Sequence, residues 1–361
     1  MSVLNRKSSP KTAQTTRLMV NAPGAQYPII IGDGVLQTVK GLLTEHNLTG
    51  KVAIVTNETL APLYGQALSE QLGGAKLIAV PDGEGFKTLD TVRRLYDAFF
   101  EAGLDRRSVI IGLGGGVVGD MAGFAAATFL RGVPYIQAPT SLLCMVDASV
   151  GGKVGVDVPQ GKNLIGAFKQ PEMVLVDTSV LATLPDAEWR CGVAEVVKAG
   201  LLRDASLLDA SLYKRGAIDF IIKAIAFKVG VVQEDPYENG VRAYLNLGHT
   251  FGHALEHVSG FRWRHGEAVA LGLLAAARLS QIHGLCDSTL PFRVEQLLRA
   301  LNLPVRYKDY KPADIRAAMN TDKKRADGKV RFVLLRGIGD PILCGDVPES
   351  KILDVLESLR E

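Results

Sequence analysis

The stretch SVIIGLGGGVVGDMAGFAAATFL, residues 108–130, is an apolar run that enters a glycine-rich turn and continues as a helix-forming segment. Gly114, Gly116 and Gly119 satisfy the pattern GxGxxG. Glycines at such a turn let backbone amides approach a pyrophosphate, and the helix N-terminus adds partial positive charge. Two features depart from the usual dinucleotide fingerprint. The motif follows a late strand instead of the first, and no acidic residue lies between Asp120 and Asp147 to hold a ribose about twenty residues on. The alternative is that these glycines serve only tight strand–helix packing.

Outward from this turn, VAIVT (52–56), AKLIAV (75–80), PYIQA (134–138) and MVLVD (173–177) repeat the near-continuous apolar texture of strands covered on both faces. Helical segments such as TLDTVRRLYDAFFEAG separate them, which predicts βαβ units and a parallel sheet. A second turn, PDGEGFKT (81–88), offers Asp82, Glu84 and Lys87 after another strand. After Leu181 helical patterns take over, at 187–203, 205–213, 217–232, 247–258, 267–283, 291–301, 312–320 and 350–360. Only VRFVLL (330–335) reads there as a strand. The expectation is an α/β protein: a tail over 1–16, a parallel-sheet nucleotide-binding domain over 17–180, and a mostly α-helical metal- and substrate-binding domain over 181–361. The cleft between two such domains is the default place for a site.

Bulk properties narrow the function classes. With 361 residues, 47% apolar and 22% charged, the chain has material for a sizeable core. A net charge of +3 and the lack of a Lys/Arg block give no support to a nucleic-acid partner. Cys144, Cys191, Cys286 and Cys344 lie far apart with no CxxC pair, so a reducing, cytoplasmic setting is expected. AVALGLLAAARL (268–279) is too short to span a bilayer and reads as a buried helix, so no membrane is expected. The segment MSVLNRKSSPKTAQTTR is basic and rich in Ser/Thr but has poor amphipathic periodicity, and is expected to be a disordered tail.

Four of the six histidines, His249, His253, His257 and His265, fall within seventeen residues. His249 and His253 share one helical face, whereas His265 follows a break at Gly260 and can fold back towards His249. Two histidines and one carboxylate would leave an open coordination position, the pattern of a catalytic metal. Glu256, Glu267 and Glu195 are all candidates for the carboxylate, and spacing does not choose among them. Glu195 lies in WRCGVAEVVKAGLL with Lys198 on the same face, and such a helix rarely buries both without reason, although a local ion pair is the plainer account. Arg131, Asp147, Lys153, Lys162, Asn163, Lys228, Arg242, Asn246 and Lys324 add basic and polar groups, several beside glycine. If they converge, they suit a substrate bearing phosphate and carboxylate.

Together the motifs DGEGFK, GGGVVGD, VDASVGGK, GKNLIGAF, GVAEVVKAG, LNLGHTFGHALEH, HGEAVALG and the DKK ending at Lys324 resemble the dehydroquinate synthase family of sugar-phosphate cyclases, from about residue 17 to the C-terminal helix. The resemblance implies a divalent metal, Zn2+ or Co2+, on Glu195, His249 and His265. It implies NAD+ on Asp82, Glu84, Lys87, Gly116, Val117, Val118, Gly119, Asp120, Thr140 and Ser141, with Lys153 and Lys162 serving cofactor and substrate alike. Substrate contacts would be Arg131, Asp147, Lys153, Lys162, Asn163, Lys198, Lys228, Arg242, Asn246, His253 and Lys324. Lys153, Lys198, Arg242, Asn246, His253 and Glu238 would carry the catalysis. Departures are small: DPYE (235–238) replaces an Asp-Glu-x-Glu run, so that Pro236 could shift the loop bearing Glu238. Ser141 stands where Thr is usual, and Asp157 where Asn is common.

The implied reaction converts 3-deoxy-D-arabino-heptulosonate 7-phosphate into 3-dehydroquinate and phosphate. It proceeds by transient oxidation at C5, β-elimination of phosphate, return of the hydride, ring opening and an aldol closure that regenerates NAD+. A homodimer is the expected assembly. Rival readings are a sister cyclase acting on another sugar phosphate, a metal-dependent alcohol or glycerol dehydrogenase and, more remotely, a nucleotide- or metal-binding regulatory protein.

Overall fold

The structure, a computed structural model, describes residues 15–238, 240–321 and 330–361. Most of the expected tail, and Lys324, lie outside these residues, while Thr16 already belongs to the first strand. The α/β half runs β1 (Thr16–Ala22), β2 (Ala25–Gly32), α1 (Val39–Glu45), β3 (Val52–Asn57), α2 (Gln66–Gln71), β4 (Lys76–Val80), α3 (Leu89–Glu101), β5 (Val109–Gly114), α4 (Gly116–Thr128), β6 (Tyr135–Pro139), β7 (Lys153–Val158), β8 (Gly161–Phe168) and β9 (Met173–Asp177). The remainder runs α5 (Asp186–Leu202), α6 (Asp219–Glu234), α7 (His249–Val258), α8 (His265–Ile282), α9 (Thr289–Ala300), α10 (Pro312–Ala318), β10 (Phe332–Gly337), β11 (Asp340–Cys344) and α11 (Glu349–Leu359).

Seven strands form one sheet in the order β1-β2-β9-β6-β5-β3-β4. All five expected strands are present and parallel; β3, β5, β6 and β9 are covered on both faces, whereas β4, at the sheet edge, buries only Val80 fully. The chain passes from β3 outward to β4 and then returns to β5 on the other side of β3. The crevice beyond the carboxyl ends of β3 and β5 is therefore a topological switch point, where ligands bind in open α/β sheets. The glycine turn leaves β5 at this crevice, and the turn PDGEGFKT leaves β4 beside it.

Two hairpins were not among the expected strands, nor was β11, which pairs antiparallel with the expected strand β10. β1 and β2 pair antiparallel, and β1 alternates exposed and buried residues as an edge strand should. β7 and β8 form a separate ribbon, largely exposed along β8, where two glycines and the polar Lys162 and Asn163 interrupt the apolar residues. The expected helix at 205–213 is two short 3-10 turns instead. Asp204 and Asp209 each accept a hydrogen bond from the backbone N–H two residues on, at 3.1 and 2.9 Å, and this local bonding competes with a continuous helix.

One apolar core joins the halves. Val20, Ile29, Ile31, Val174 and Val176 of the sheet pack in a cluster with residues of α5, α6, α7, α8 and α11. Among the described residues no helix is long and apolar enough to cross a membrane.

Candidate active site

Three helices bring Glu195, His249 and His265 together. Glycine permits the approach: a Cβ at Gly266 of α8 would lie 2.2 Å from Cys191 Cα on α5, and one at Gly272 would lie 2.0 Å from the Gly248 carbonyl before α7. With these backbones nearly touching, one ligand atom from each of the three residues falls within 4.8 Å of the others. His249 Nδ1 faces the Leu247 carbonyl at 3.1 Å, which can only accept, so Nδ1 carries the proton and Nε2 presents a lone pair. That lone pair points at Glu195 Oε1, 3.7 Å away, and His265 Nε2 lies 3.4 Å from the same oxygen. Glu195 is buried and its Oε1 accepts no hydrogen bond. Lone pairs facing a buried carboxylate repel unless a cation sits among them, so the donor set fits a divalent ion with two imidazole nitrogens and one carboxylate oxygen. The same field raises the His265 pKa to about 10: burial opposes the charged ring, and Glu195 and Glu256 outweigh it.

The other carboxylates considered as ligands are engaged elsewhere. Glu267 caps α8, its Oε2 accepting from the Arg264 N–H at 3.3 Å. Glu256 Oε2 lies 3.4 Å from His265 Nδ1, on the ring edge away from Glu195. His253, Glu256 and His265 form a second close trio, and the His253 ring lies 5.2 Å from that of His249.

Beside this trio Asp147 gathers two ammoniums. Lys198 Nζ lies 3.3 Å from Asp147 Oδ2 and also pairs with Glu195 one turn earlier, while Lys228 pairs with Asp147 Oδ1. Burial pushes the Asp147 carboxyl towards protonation, but Lys198 and Lys228 outweigh it and hold its pKa well below the usual range. Burial lowers the Lys198 pKa, but Asp147 and Glu195 prevail and raise it. Lys228 goes the other way, lowered by burial and by its neighbour Lys198, and is the weaker base of the pair.

Glu238 takes a left-handed backbone (φ 62°) after Pro236 and still reaches the cluster, pairing with Lys153 and accepting from Asn246 Nδ2 at 3.0 Å. Arg242 is buried and donates to the Pro236 and Gly151 carbonyls at 2.5 and 3.3 Å. A Cβ at Gly151, itself at φ +111°, would meet Arg242 Nη2 at 2.4 Å, so this glycine makes room for the guanidinium.

At the switch point Gly119 packs so closely on Gln137 of β6 that a Cβ would lie 2.2 Å from its amide, whereas Gly116 leaves ordinary space. Val118 is core and Val117 half-buried, so Val118 offers a ligand its backbone, not its side chain. Thr140 N–H donates to the Gly114 carbonyl at 2.9 Å, and Ser141 Oγ accepts from Cys144 N at 3.3 Å. Lys87 is buried and donates to Asp120 at 2.6 Å and to Asn163 Oδ1 at 2.5 Å. Burial lifts the Asp120 pKa to about 6 in spite of Lys87. Asp82 accepts from Asn57 Nδ2 (2.6 Å) and Thr59 (2.9 Å). Sequence reading did not single out Asn57 or Thr59; their signal is the polar step TNET (56–59) at the carboxyl end of β3, the switch-point strand.

The β7–β8 ribbon spans both sets of residues. Lys162 lies 3.4 Å from Glu84 and 3.7 Å from Glu256, with its ammonium 4.4 Å from the Phe261 ring centre. Arg131 is not drawn in. It is exposed on the turn Phe129–Arg131, one length of α4, about 20 Å, from the glycine turn.

The chain matches 3-dehydroquinate synthase N-terminal over residues 77–191 and 3-dehydroquinate synthase C-terminal over residues 192–325. A 3-dehydroquinate synthase of Halorhodospira halophila is 47% identical over 340 residues, 91% of this chain and 96% of that one. The chain belongs to the 3-dehydroquinate synthase family. Its fold extends to the wider cyclases. A 2-deoxy-scyllo-inosose synthase solved with carbaglucose-6-phosphate, NAD+ and Co2+ superposes with a TM-score of 0.84 at 26% identity, covering 95% of this chain and all of that one. A 2-epi-5-epi-valiolone synthase of Streptomyces hygroscopicus subsp. jinggangensis 5008, solved with NAD+ and Zn2+, gives 0.84 at 30% identity, covering 93% and 97%.

Proposed function

We propose that this protein is a 3-dehydroquinate synthase, a phosphate-eliminating carbon–oxygen lyase that turns 3-deoxy-D-arabino-heptulosonate 7-phosphate into 3-dehydroquinate. The observation that carries the reading is the juxtaposition of the Glu195–His249–His265 trio with the Asp147–Lys198–Lys228 cluster. A small neutral alcohol has no use for several converging ammoniums, which argues against a simple dehydrogenase. Retention of Lys228, Arg242, Asn246 and His253 favours a carboxylate-bearing substrate over that of a sister cyclase. We assign residues 17–180 to NAD+ and 181–361 to metal and substrate, and read the protein as a cytoplasmic homodimer.

Glu195, His249 and His265 would hold Zn2+ or Co2+, which when bound acts as a Lewis acid on substrate hydroxyls. The turns bearing Asp82, Glu84, Lys87, Gly116, Val117, Val118, Gly119, Asp120, Thr140 and Ser141 would hold NAD+, which when bound supplies a transient hydride acceptor that is regenerated within the cycle. Lys153, Lys198, Asn163 and Lys324 would bind the phosphate, and Arg242 with Lys162 the carboxylate. Asp147 keeps Lys198 charged, and Glu238 holds Lys153 against Asn246, so the cationic groups are oriented before substrate arrives. His253 would orient a hydroxyl or relay a proton.

The test supplies the heptulosonate phosphate and NAD+ and follows inorganic phosphate, 3-dehydroquinate and absorbance at the NADH band, with and without chelator. Equal release of phosphate and dehydroquinate with no net NADH, abolished by chelation, is expected. Stoichiometric NADH without phosphate would indicate a dehydrogenase, and turnover only of another sugar phosphate a sister cyclase.

A further inference from the structure

We propose that Glu256 is a positioning residue for His265: its carboxylate fixes the imidazole tautomer and ring orientation so that Nε2 faces Glu195 and His249. This rests on the metal reading above and adds to it a residue outside the ligand set.

The two ring nitrogens of His265 point to opposite sides, so one ring can serve one ion and one orienting partner. Nε2 faces Glu195 Oε1 at 3.4 Å, and Nδ1 faces Glu256 Oε2 at 3.4 Å. A carboxylate only accepts, so Nδ1 keeps its proton for Glu256, and when a cation sits among Glu195, His249 and His265 it is Nε2 that supplies the lone pair. His249 reaches the same state with a main-chain carbonyl, at Leu247. The two imidazoles are thus held alike by different partners, and only that of His265 is charged. A carboxylate behind an imidazole raises the ring's basicity as well as fixing its angle.

Glu256 is itself held. It is buried, and its other oxygen lies 3.7 Å from Lys162 Nζ. Its backbone carbonyl accepts from Ser259 Oγ at 2.9 Å and from Phe261 N at 2.8 Å, closing the turn that ends α7 and sends the chain towards His265. Gly260 and Phe261 both take left-handed backbone there, at φ 60° each. The same residue therefore shapes the turn that delivers His265 and orients the ring on arrival. A role limited to tying α7 to the β7–β8 ribbon through Lys162 would leave metal affinity untouched, and a role as a direct ligand would change the coordination sphere.

Full-length wild type, Glu256→Gln, Glu256→Asp and Glu195→Gln are stripped of metal. Zn2+ affinity is measured by competition with a chromogenic chelator, and the visible absorption of the Co2+-loaded proteins is recorded. Glu256→Asp keeps the charge but withdraws the oxygen, and serves if the amide disturbs folding. Both Glu256 variants are expected to bind Zn2+ on the order of 10–100-fold more weakly, with Co2+ band positions unchanged. Glu195→Gln is expected to lose those bands. Wild-type affinity in both Glu256 variants, or a shifted Co2+ spectrum, overturns the inference. Wild type that takes up neither ion overturns the functional reading itself, a result distinct from either.

Discussion

Asp147 is a single carboxylate answering for two buried ammoniums, and that asymmetry makes it the residue on which the cationic pocket depends. Lys198 has Glu195 as a second partner, whereas Lys228 lies next to Lys198 and is destabilised by it. Asp147→Asn keeps the shape and removes the charge. Losing one member of a buried ionic group strands the others, so a loss of about 3–5 kcal/mol is expected, read from the urea midpoint at neutral pH. The Asp147 carboxyl is depressed in the folded protein. Its contribution is therefore complete above the ordinary carboxylate pKa, about 4, and is lost as pH falls below that value. The gap between wild type and variant should narrow steadily below pH 4. A gap of constant size at lower pH would contradict the assignment.

Among the elements, the β7–β8 ribbon does most to connect the nucleotide turns with the metal helices, and it was the least legible in the sequence. GKNLIGAF stood out for its lysine and glycine, but its apolar residues Leu164, Ile165, Ala167 and Phe168 are split between the two faces and broken by Gly166, so they form neither an alternating pattern nor a continuous run. Four of the five parallel strands were legible because burial on both faces makes them continuous apolar runs, and the edge strand β4 because its own run, KLIAV, is apolar although partly exposed. Glu195 could not be chosen over Glu256 and Glu267 from spacing, because the choice depends on close crossings of α5, α7 and α8 at Gly266 and Gly272. Family resemblance pointed to Glu195, and the geometry of the crossings explains how it reaches the histidines. Within the ribbon Asn163 has φ 55°, where asparagine and glycine are tolerated and alanine is strained, and its side chain accepts from Lys87. Asn163→Ala and Asn163→Gly should lose turnover equally, on the order of tenfold, because both drop a hydrogen bond to a charged group. Both should lose stability with that bond, and the alanine variant should melt about 1 kcal/mol below the glycine variant from backbone strain. Unequal turnover with equal melting would show that the backbone, not the amide, is what matters there.

At the scale of the molecule the sheet and the helices share one apolar core, and this bears on how the protein unfolds. Val20, Ile29, Ile31, Val174 and Val176 face α5, α6 and their neighbours, while the sheet's remaining surface is covered by clusters of its own. If that shared core is the main adhesive, neither half can hold its site-forming turns in place after the other melts, and the NAD+ and metal groups are lost together. Both tryptophans, Trp189 and Trp263, lie in the helical half, whereas far-UV circular dichroism reports on both halves. Their urea transitions should therefore coincide, as cooperative unfolding requires. Ile29 sits on β2, fully buried against the helices. Ile29→Ala should shift both transitions together by about 2–5 kcal/mol, the usual cost of a core truncation, although the substitution is remote from either tryptophan in sequence. A variant in which the fluorescence transition stays at its wild-type midpoint while the circular dichroism curve splits would mean that the helices stand alone, and the coupling between the halves would then have to come from the exposed ribbon and its ion pairs.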